Sequence, residues 1–291
     1  MPKIEYVPHK FYGAQRQLVD AANRVIEDYV AQGYVLTLRQ LFYRLVTMNT
    51  IPNTQRDYKR LGALMTAARL AGETDWEAME DITRNLRQVR NWKNPKDAVL
   101  WLADQYHTDM WANQPYRVEV WIEKDALSGV FSLACARLDV PFFSCRGYSS
   151  ASEMWRAAMR LQRHKHNGQE PIIFHFGDHD PSGIDMTRDI DDRLVTFETV
   201  LEMDRRALNI DQVKKFKLPP NPARQTDARY RAYKAKFGTK SWELDALEPS
   251  ILAGMVERAV LEYRDEKLWK IAARRENCEQ KKIRKLAMTV L

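Results

Sequence analysis

Cysteine and long apolar runs are both scarce in this chain. Its 291 residues include three cysteines and no Cys-x-x-Cys pair, which argues against a disulfide framework and against a cysteine zinc site. No apolar run approaches the ~18 residues that a membrane span needs, and the N-terminus lacks the apolar core of a signal peptide. We therefore expect a cytoplasmic protein with no membrane segment.

A phosphate-binding Gly-x-x-x-x-Gly-Lys-[Ser/Thr] loop is also missing, so any ATP-driven step would need a separate partner. What the chain does contain is enough apolar material for two folded domains, with 45% hydrophobic residues and eight tryptophans. Its net charge is +7. Between Lys214 and Lys240 it carries nine basic residues and one acid. This excess of positive charge favours a surface that binds a nucleic-acid phosphate backbone over a loop that is only exposed to solvent.

Two aspartates follow an apolar segment that is typical of a buried strand. The segment runs from Pro171 to Phe176, and alternation beyond it predicts that Asp178 and Asp180 point to one side. Pro181 and Gly183 are expected to turn the chain ahead of a helix from Asp185. Paired carboxylates suit Mg²⁺, for which Mn²⁺ can substitute, and a phosphodiester substrate.

A third carboxylate, Glu123, follows another predicted strand, Val118 to Ile122. A further strand is predicted from Val140 to Cys145, and helical patterns separate the three strands. This order predicts right-handed crossovers and a parallel sheet, whose ligands collect at the carboxyl ends of the strands. Glu123, Asp178 and Asp180 would then share one edge, unless these acids only cap helices.

The Glu123-Lys124-Asp125-Ala126 motif, followed by Asp178-x-Asp180-Pro181-x-Gly183-Ile184, resembles the Toprim domain of the topoisomerase VI A subunit and its meiotic double-strand-break relatives. The turn at Arg146-Gly147-Tyr148 is similar as well. The resemblance implies an α/β Toprim domain over residues 113–291, a parallel-sheet core with flanking helices and a basic, helical C-terminal region. It also implies an α-rich winged-helix domain over residues 1–112.

A second motif of that family is similar to Thr37-Leu38-Arg39-Gln40-Leu41-Phe42-Tyr43-Arg44. The resemblance makes Tyr43 the residue that attacks DNA. Helical phase independently puts Tyr43 off the apolar face and near Arg39, where a guanidinium could stabilise a phenolate. The alternative is a structural tyrosine on a helix surface.

Candidate DNA-binding residues are basic and fall in three places: a helix predicted from Gln55 to Ala71, the two Toprim motifs, and the basic segment. The predicted helix contributes Arg56, Lys59 and Arg60. The first Toprim motif contributes Lys124, and the turn after it contributes Arg146. The basic segment from Lys214 to Lys240 contributes Arg229, Arg231, Lys234 and Lys236.

The histidines do not have the spacing of a zinc site, because His175 and His179 lie on a strand and its turn and His164 and His166 in a predicted polar loop. His179, between the two aspartates, is expected to contact a metal-bound water or a phosphate. Glu243, in a segment resembling a family stretch close behind the metal site, is a candidate peripheral member.

Together these features predict a DNA-associated enzyme that resembles a type IIB topoisomerase A subunit and cleaves double-stranded DNA by tyrosine transesterification with Mg²⁺. The resemblance implies a homodimer, in which the tyrosine of one protomer meets the metal site of the other, and a separate ATPase B-type subunit. Two alternatives stay open. One is a hydrolytic Toprim endonuclease with a structural Tyr43, and the other is a non-catalytic DNA-binding protein.

Overall fold

A computed structural model describes residues 3–79 and 91–289 of the chain. A helix was expected over residues 76–91, and most of that range lies outside the described residues. Residues 76–79 form a turn that ends in a single bridge between Leu36 and Met79, so the expectation is wrong for this part.

The N-terminal part of the chain is helical. Its described helices are α1 (Gly13–Ala31), α2 (Leu38–Thr47), α3 (Gln55–Leu70) and α4 (Pro95–Gln105). The expected starts of α2 and α3 are confirmed: the side chains of Thr37 and Thr54 each accept a hydrogen bond from a backbone amide of the first turn. Helix α4, which Asn94 caps, was not anticipated.

A four-stranded sheet follows, and all its neighbours are parallel. Its strands are β1 (Tyr116–Ile122), β2 (Phe142–Ser144), β3 (Glu170–Phe176) and β4 (Glu202–Ala207), in the order β2-β1-β3-β4. The predicted parallel α/β core is therefore confirmed. Strand β4 escaped prediction because its sequence, Glu-Met-Asp-Arg-Arg-Ala, has no apolar run.

Both faces of the sheet are covered, as a parallel sheet requires. Trp121 and Ile173 point to one face, against α6 (Ala151–His166) and α7 (Pro181–Thr196). Val120 and Phe174 point to the other, where α5 (Ser128–Arg137) packs. Helix α6 includes His164 and His166, so the expected polar loop at those residues is wrong.

The C-terminal part contains further helices and a small antiparallel pair of strands. These elements are α8 (Ile210–Phe216), β5 (Asn221–Pro222), α9 (Tyr230–Phe237), β6 (Lys240–Ser241), α10 (Pro249–Leu261) and α11 (Glu266–Ala287). The expected helical C-terminus is confirmed. Helix α11 packs along α4, and α2 packs against a single-turn 3-10 helix at Leu244–Ala246, so contacts cross the predicted boundary at residue 112. No helix of the described ranges is long and apolar enough to span a membrane.

The capping box that starts α2 yields a stability prediction. The Thr37 side chain accepts from the Gln40 amide, and the Gln40 side chain accepts from the Thr37 amide at 2.8 Å. Thr37→Ala should lower the free energy of unfolding by about 1 kcal/mol, because one helix-end amide loses its partner. Thr37→Ser keeps the hydroxyl and is the control. Equal denaturation midpoints for all three proteins in urea would contradict this role.

Candidate functional site

The carboxyl ends of β1 and β3 bring Glu123 and Asp178 together, as the sequence predicted. The Glu123 amide donates to the carbonyl of Phe176 at 2.9 Å, which extends the pairing of the two strands by one residue. The Asp178 amide donates to Glu123 Oε2 at 2.8 Å. One carboxylate oxygen of Glu123 is thus fixed by the backbone of the loop that carries Asp178.

Close packing against glycine holds that loop in place. A Cβ on Gly183 would lie 2.4 Å from the Asp178 carbonyl oxygen and 2.9 Å from Glu123 Oε2. A Cβ on Gly177 would also lie 2.9 Å from Glu123 Oε2. Since real Cβ atoms do not approach backbone so closely, a side chain at position 183 would displace the loop and Glu123 with it.

Asp180 has a different role from the one predicted. Strand β3 ends at Phe176, so strand alternation does not extend to Asp178 and Asp180. Helix α7 begins at Pro181 rather than near Asp185, and Asp180 is its N-cap: Oδ1 accepts from the Gly183 amide at 2.6 Å. The helix-cap alternative therefore holds for Asp180, although its second oxygen has no hydrogen-bond donor among the described residues.

The described residues contain one group of three acids close enough to share a metal ion: Asp178, Glu243 and Asp245, termed here the acidic cluster. Their ligand oxygens lie within 4.8 Å of one another. The backbone fixes this arrangement, because the Leu244 amide donates to Asp178 Oδ1 at 2.8 Å. Sequence analysis proposed Glu243 as a peripheral member and did not single out Asp245, which lies two residues further along the same segment.

The ammonium of Lys124 lies among the three acids of the acidic cluster. Nζ is 2.7 Å from Asp178 Oδ2 and 3.3 Å from Asp245 Oδ1, and it also pairs with Glu243. Lys124 is therefore not a free DNA contact in this arrangement, in contrast to the prediction. Its position marks where these carboxylates best stabilise a positive charge.

Arg39 reaches the same cluster from α2. Its guanidinium pairs with Glu243, and its Nε lies 2.8 Å from Asp245 Oδ2. Neither Nε nor Oδ2 is aligned for a hydrogen bond, although both atoms are buried. Asp245, whose side chain is fully buried, thus keeps an oxygen without a hydrogen-bond donor, which a cation could use.

Arg205 on β4 is a positioning residue that sequence analysis missed. Its guanidinium donates to the carbonyls of Gly183 at 2.8 Å, Gly177 at 3.1 Å and Asp178 at 2.6 Å. Burial lowers the pKa of Arg205 to about 10, although nearby carboxylates oppose this shift. No motif could have indicated this residue, because its partners are backbone carbonyls.

Burial and neighbouring positive charges shift the pKa values of these acids in opposite directions. Burial raises the pKa of Asp178 well above its usual value, and burial also raises the pKa of Glu123. Burial opposes ionisation of Glu243 too, but Lys124 and Arg39 together lower its pKa to about 2. Asp178 and Glu123 therefore lack sufficient positive charge around them.

A divalent cation fits this imbalance. Five carboxylates (Glu123, Asp178, Asp180, Glu243 and Asp245) face three cations (Lys124, Arg39 and Arg205). When all are ionised, two negative charges remain, which is the charge that one Mg²⁺ or Mn²⁺ neutralises. Oxygen-only ligands suit these hard ions.

Tyr43 is buried, with 7% of its surface exposed, so the expectation that it lies off the packed face is wrong. Its ring packs edge to face on Phe42, with ring centroids 5.4 Å apart, and the Arg39 guanidinium carbon lies 5.8 Å from its centroid. Burial, followed by the charges of Glu243 and Asp245, raises the pKa of Tyr43 to about 12. The Arg39 guanidinium acts in the opposite direction, but it does not offset burial and these two acids.

Tyr43 does, however, reach open space. It lines a cavity of about 400 Å³, termed here the Tyr43 cavity, together with Arg39 and Glu243. The cavity lies between α2, the start of α3 and strand β5. Tyr43 and one acid of the acidic cluster, Glu243, therefore line the same cavity.

The predicted DNA-binding residues differ in whether they already have an ion-pair partner. Arg56, Lys59 and Arg60 are exposed on α3, and Arg231, Lys234 and Lys236 are exposed on α9. None of these six has an ion-pair partner in residues 3–79 and 91–289. Arg146 is exposed but pairs with Asp125 at 3.0 Å, and Arg229 pairs with Asp185 at 2.7 Å.

His179 does not face the acids. It is buried among Tyr233, Phe237 and Trp242, and its Nδ1 lies 2.8 Å from the Tyr233 hydroxyl. The expected contact of His179 with a metal-bound water or phosphate is therefore wrong. This aromatic packing attaches α9 to the loop of Asp178, and Tyr233 consequently belongs to the core rather than to a DNA-facing surface.

A comparison with models of protein families finds no match, and neither does a comparison with curated proteins.

The acidic cluster yields a prediction about metal binding. Mn²⁺ or Mg²⁺ should raise the melting temperature, because a ligand at 100 times its Kd adds about 2.7 kcal/mol of stability. Asp178→Asn and Glu243→Gln should each abolish most of the rise, measured by scanning calorimetry with and without metal. Asp211→Asn removes an exposed acid of α8 and is the matched control. An undiminished rise in Asp178→Asn would exclude this site.

Proposed function

We propose that the chain is a divalent-metal-dependent enzyme that cleaves DNA, similar to the A subunit of topoisomerase VI. One observation carries the proposal: Tyr43, Arg39 and Glu243, which is one acid of the acidic cluster, line a single cavity. A buried cluster of acids supplies a reason for metal, and an adjacent tyrosine supplies a nucleophile. The proposal includes a Toprim assignment for residues 113–291 and a winged-helix assignment for residues 1–112.

Asp178 would hold the metal together with Glu243 and Asp245, because these three acids lie close enough to share one ion. The set predicted from the sequence, Asp178 with Glu123 and Asp180, is not so closely grouped. When bound, Mg²⁺ would neutralise negative charge on a phosphodiester. Lys124, once the metal takes over its carboxylates, is free to pair with a phosphate oxygen. The buried Arg205 would hold the backbone of the loop that carries Asp178 in place, with or without the metal.

The proposed reaction is a transesterification. The Tyr43 oxygen forms a bond to phosphorus and loses its proton to solvent or to a neighbouring carboxylate. The bond from phosphorus to the 3′ oxygen breaks, and that oxygen leaves as a hydroxyl after gaining a proton. A 5′-phosphotyrosyl link remains. Because the pKa of Tyr43 is about 12, its proton must be lost as the new bond forms rather than beforehand.

Two sets of exposed cations support DNA as the substrate. Helix α3 presents Arg56, Lys59 and Arg60 beside the Tyr43 cavity, and α9 presents Arg231, Lys234 and Lys236. Phosphate contacts of this kind give affinity without sequence preference. A homodimer would place two such sites on one duplex, and strand passage would require a separate ATPase subunit.

Hydrolysis by metal-activated water is the second candidate. It is favoured by one observation: Tyr43 is almost fully buried and its pKa is raised, whereas the acidic cluster needs no tyrosine to activate water. In that case Tyr43 would serve only to pack α2.

Tyr43→Phe distinguishes these two functions. The variant keeps the ring packing, so its stability should stay within about 1 kcal/mol of wild type. Plasmid cleavage in Mg²⁺ should fall by at least ~1000-fold, together with any protein covalently bound to DNA ends after detergent quenching. Tyr29→Phe, on a buried tyrosine of α1, is the matched control. Cleavage that persists in Tyr43→Phe would establish the hydrolytic alternative.

A mixed dimer tests which protomer supplies the metal site. Tyr43→Phe and Asp178→Asn chains with different tags are co-expressed and purified through both tags. The Tyr43 cavity is lined by Glu243 of the same chain, so each protomer of this dimer should lack one essential group and the dimer should not cut. Recovery of single-strand nicking would contradict this and show that the tyrosine acts at the partner's metal site. A mixed dimer of wild type with Tyr43→Phe is the active control.

A further inference from the structure

Aromatic rings form part of the lining of the Tyr43 cavity, beside polar and charged side chains. Phe42, Tyr43 and Tyr58 all line it, and the rings of Phe42 and Tyr58 meet edge to face with centroids 5.3 Å apart. A volume of about 400 Å³ falls within the usual range of small-molecule sites, about 300 to 1,000 Å³. Aromatic walls of this kind stack on planar rings.

Two amides of the lining, Asn53 and Asn221, are bonded to each other. Asn53, just before α3, donates through Nδ2 to Oδ1 of Asn221 on β5, and this bond orients both side chains. It leaves Asn53 Oδ1 as an acceptor and Asn221 Nδ2 as a donor, with no other partner in the described part of the chain. A neighbouring acceptor and donor are the pair that amide side chains use to bind the edge of a nucleobase.

The lining of the cavity and its surroundings differ in charge. Glu243 and its ion-pair partner Arg39 both line the cavity, so their charges offset one another there. Outside, the first turns of α3 present Arg56, Lys59 and Arg60, which are exposed and suited to a phosphate backbone. The aromatic rings and amides of the lining therefore suit a base, and the exposed cations of α3 suit its backbone.

We propose that the Tyr43 cavity binds one unstacked nucleobase of the DNA strand next to the cleavage position. The proposal deepens the proposed function and rests on it, since it assumes that Tyr43 faces a DNA phosphodiester. A base stacked inside a duplex cannot insert into a cavity of this size between α2, α3 and β5. The base must leave its stack, which costs least where it is unpaired.

Binding measured without metal tests this separately from cleavage. In EDTA, the full-length protein should bind a duplex with a single unpaired base about tenfold more tightly than the fully paired duplex of the same sequence, as judged by fluorescence anisotropy. Tyr58→Ala and Asn221→Ala should remove this preference while leaving affinity for the paired duplex unchanged. Asn113→Ala, at an exposed asparagine far from the cavity in sequence, is the control.

The outcomes separate the two proposals. Equal affinity for both duplexes in wild type, or a preference that survives in both Tyr58→Ala and Asn221→Ala, would overturn the nucleobase site even if Tyr43→Phe abolishes cleavage. A preference that both variants remove would support the site even if Tyr43→Phe still cuts, in which case only the tyrosine mechanism fails. Circular dichroism of each variant establishes that the loss is not unfolding.

Discussion

The ammonium of Lys124 among three buried carboxylates is the contact on which the candidate site depends. The acids of the cluster come from two segments: Asp178 follows β3, whereas Glu243 precedes the 3-10 turn that packs against α2 and Asp245 lies within that turn. Without a positive charge at their centre, these acids would repel one another in a poorly solvated space. Arg39 of α2, the helix that carries Tyr43, supplies further positive charge to Glu243 and Asp245 and so links this helix to the acidic cluster.

A divalent metal bound at the acidic cluster would compete with Lys124 for the same carboxylates. A lysine supplies one charge and leaves the pKa of Asp178 raised, whereas a divalent ion supplies two and binds oxygen directly. Arg205 and the two close glycines fix the loop backbone, so exchange of one cation for another need move only side chains. The loop backbone of the site is thus held by many contacts, and the charged side chains are the part that would move.

The sheet edge could be predicted from sequence, because it follows from local patterns. Apolar segments ending in Glu123 and Asp178 indicate parallel strands, and parallel strands align their carboxyl ends. Thr37 and Thr54 likewise mark helix starts through a short-range hydrogen bond. Asp245 and Arg205 could not be predicted in the same way, since their roles depend on contacts with residues distant in the chain.

Two errors show where local patterns mislead. Helical phase put Tyr43 off the apolar stripe, but α2 is covered on a second side by residues that no helical wheel includes, so the ring is buried. Asp180 follows a strand pattern yet caps α7, because Pro181 can begin a helix as well as turn the chain. In both cases tertiary packing decided what the sequence pattern left open.

Anomalous scattering from crystals grown with Mn²⁺ tests the central claim most directly. The account predicts a manganese peak about 2.1 Å from a carboxylate oxygen of Asp178, with the Lys124 ammonium displaced from the acidic cluster. The absence of a peak at Asp178 under saturating Mn²⁺, with Lys124 still paired to all three acids, would contradict it.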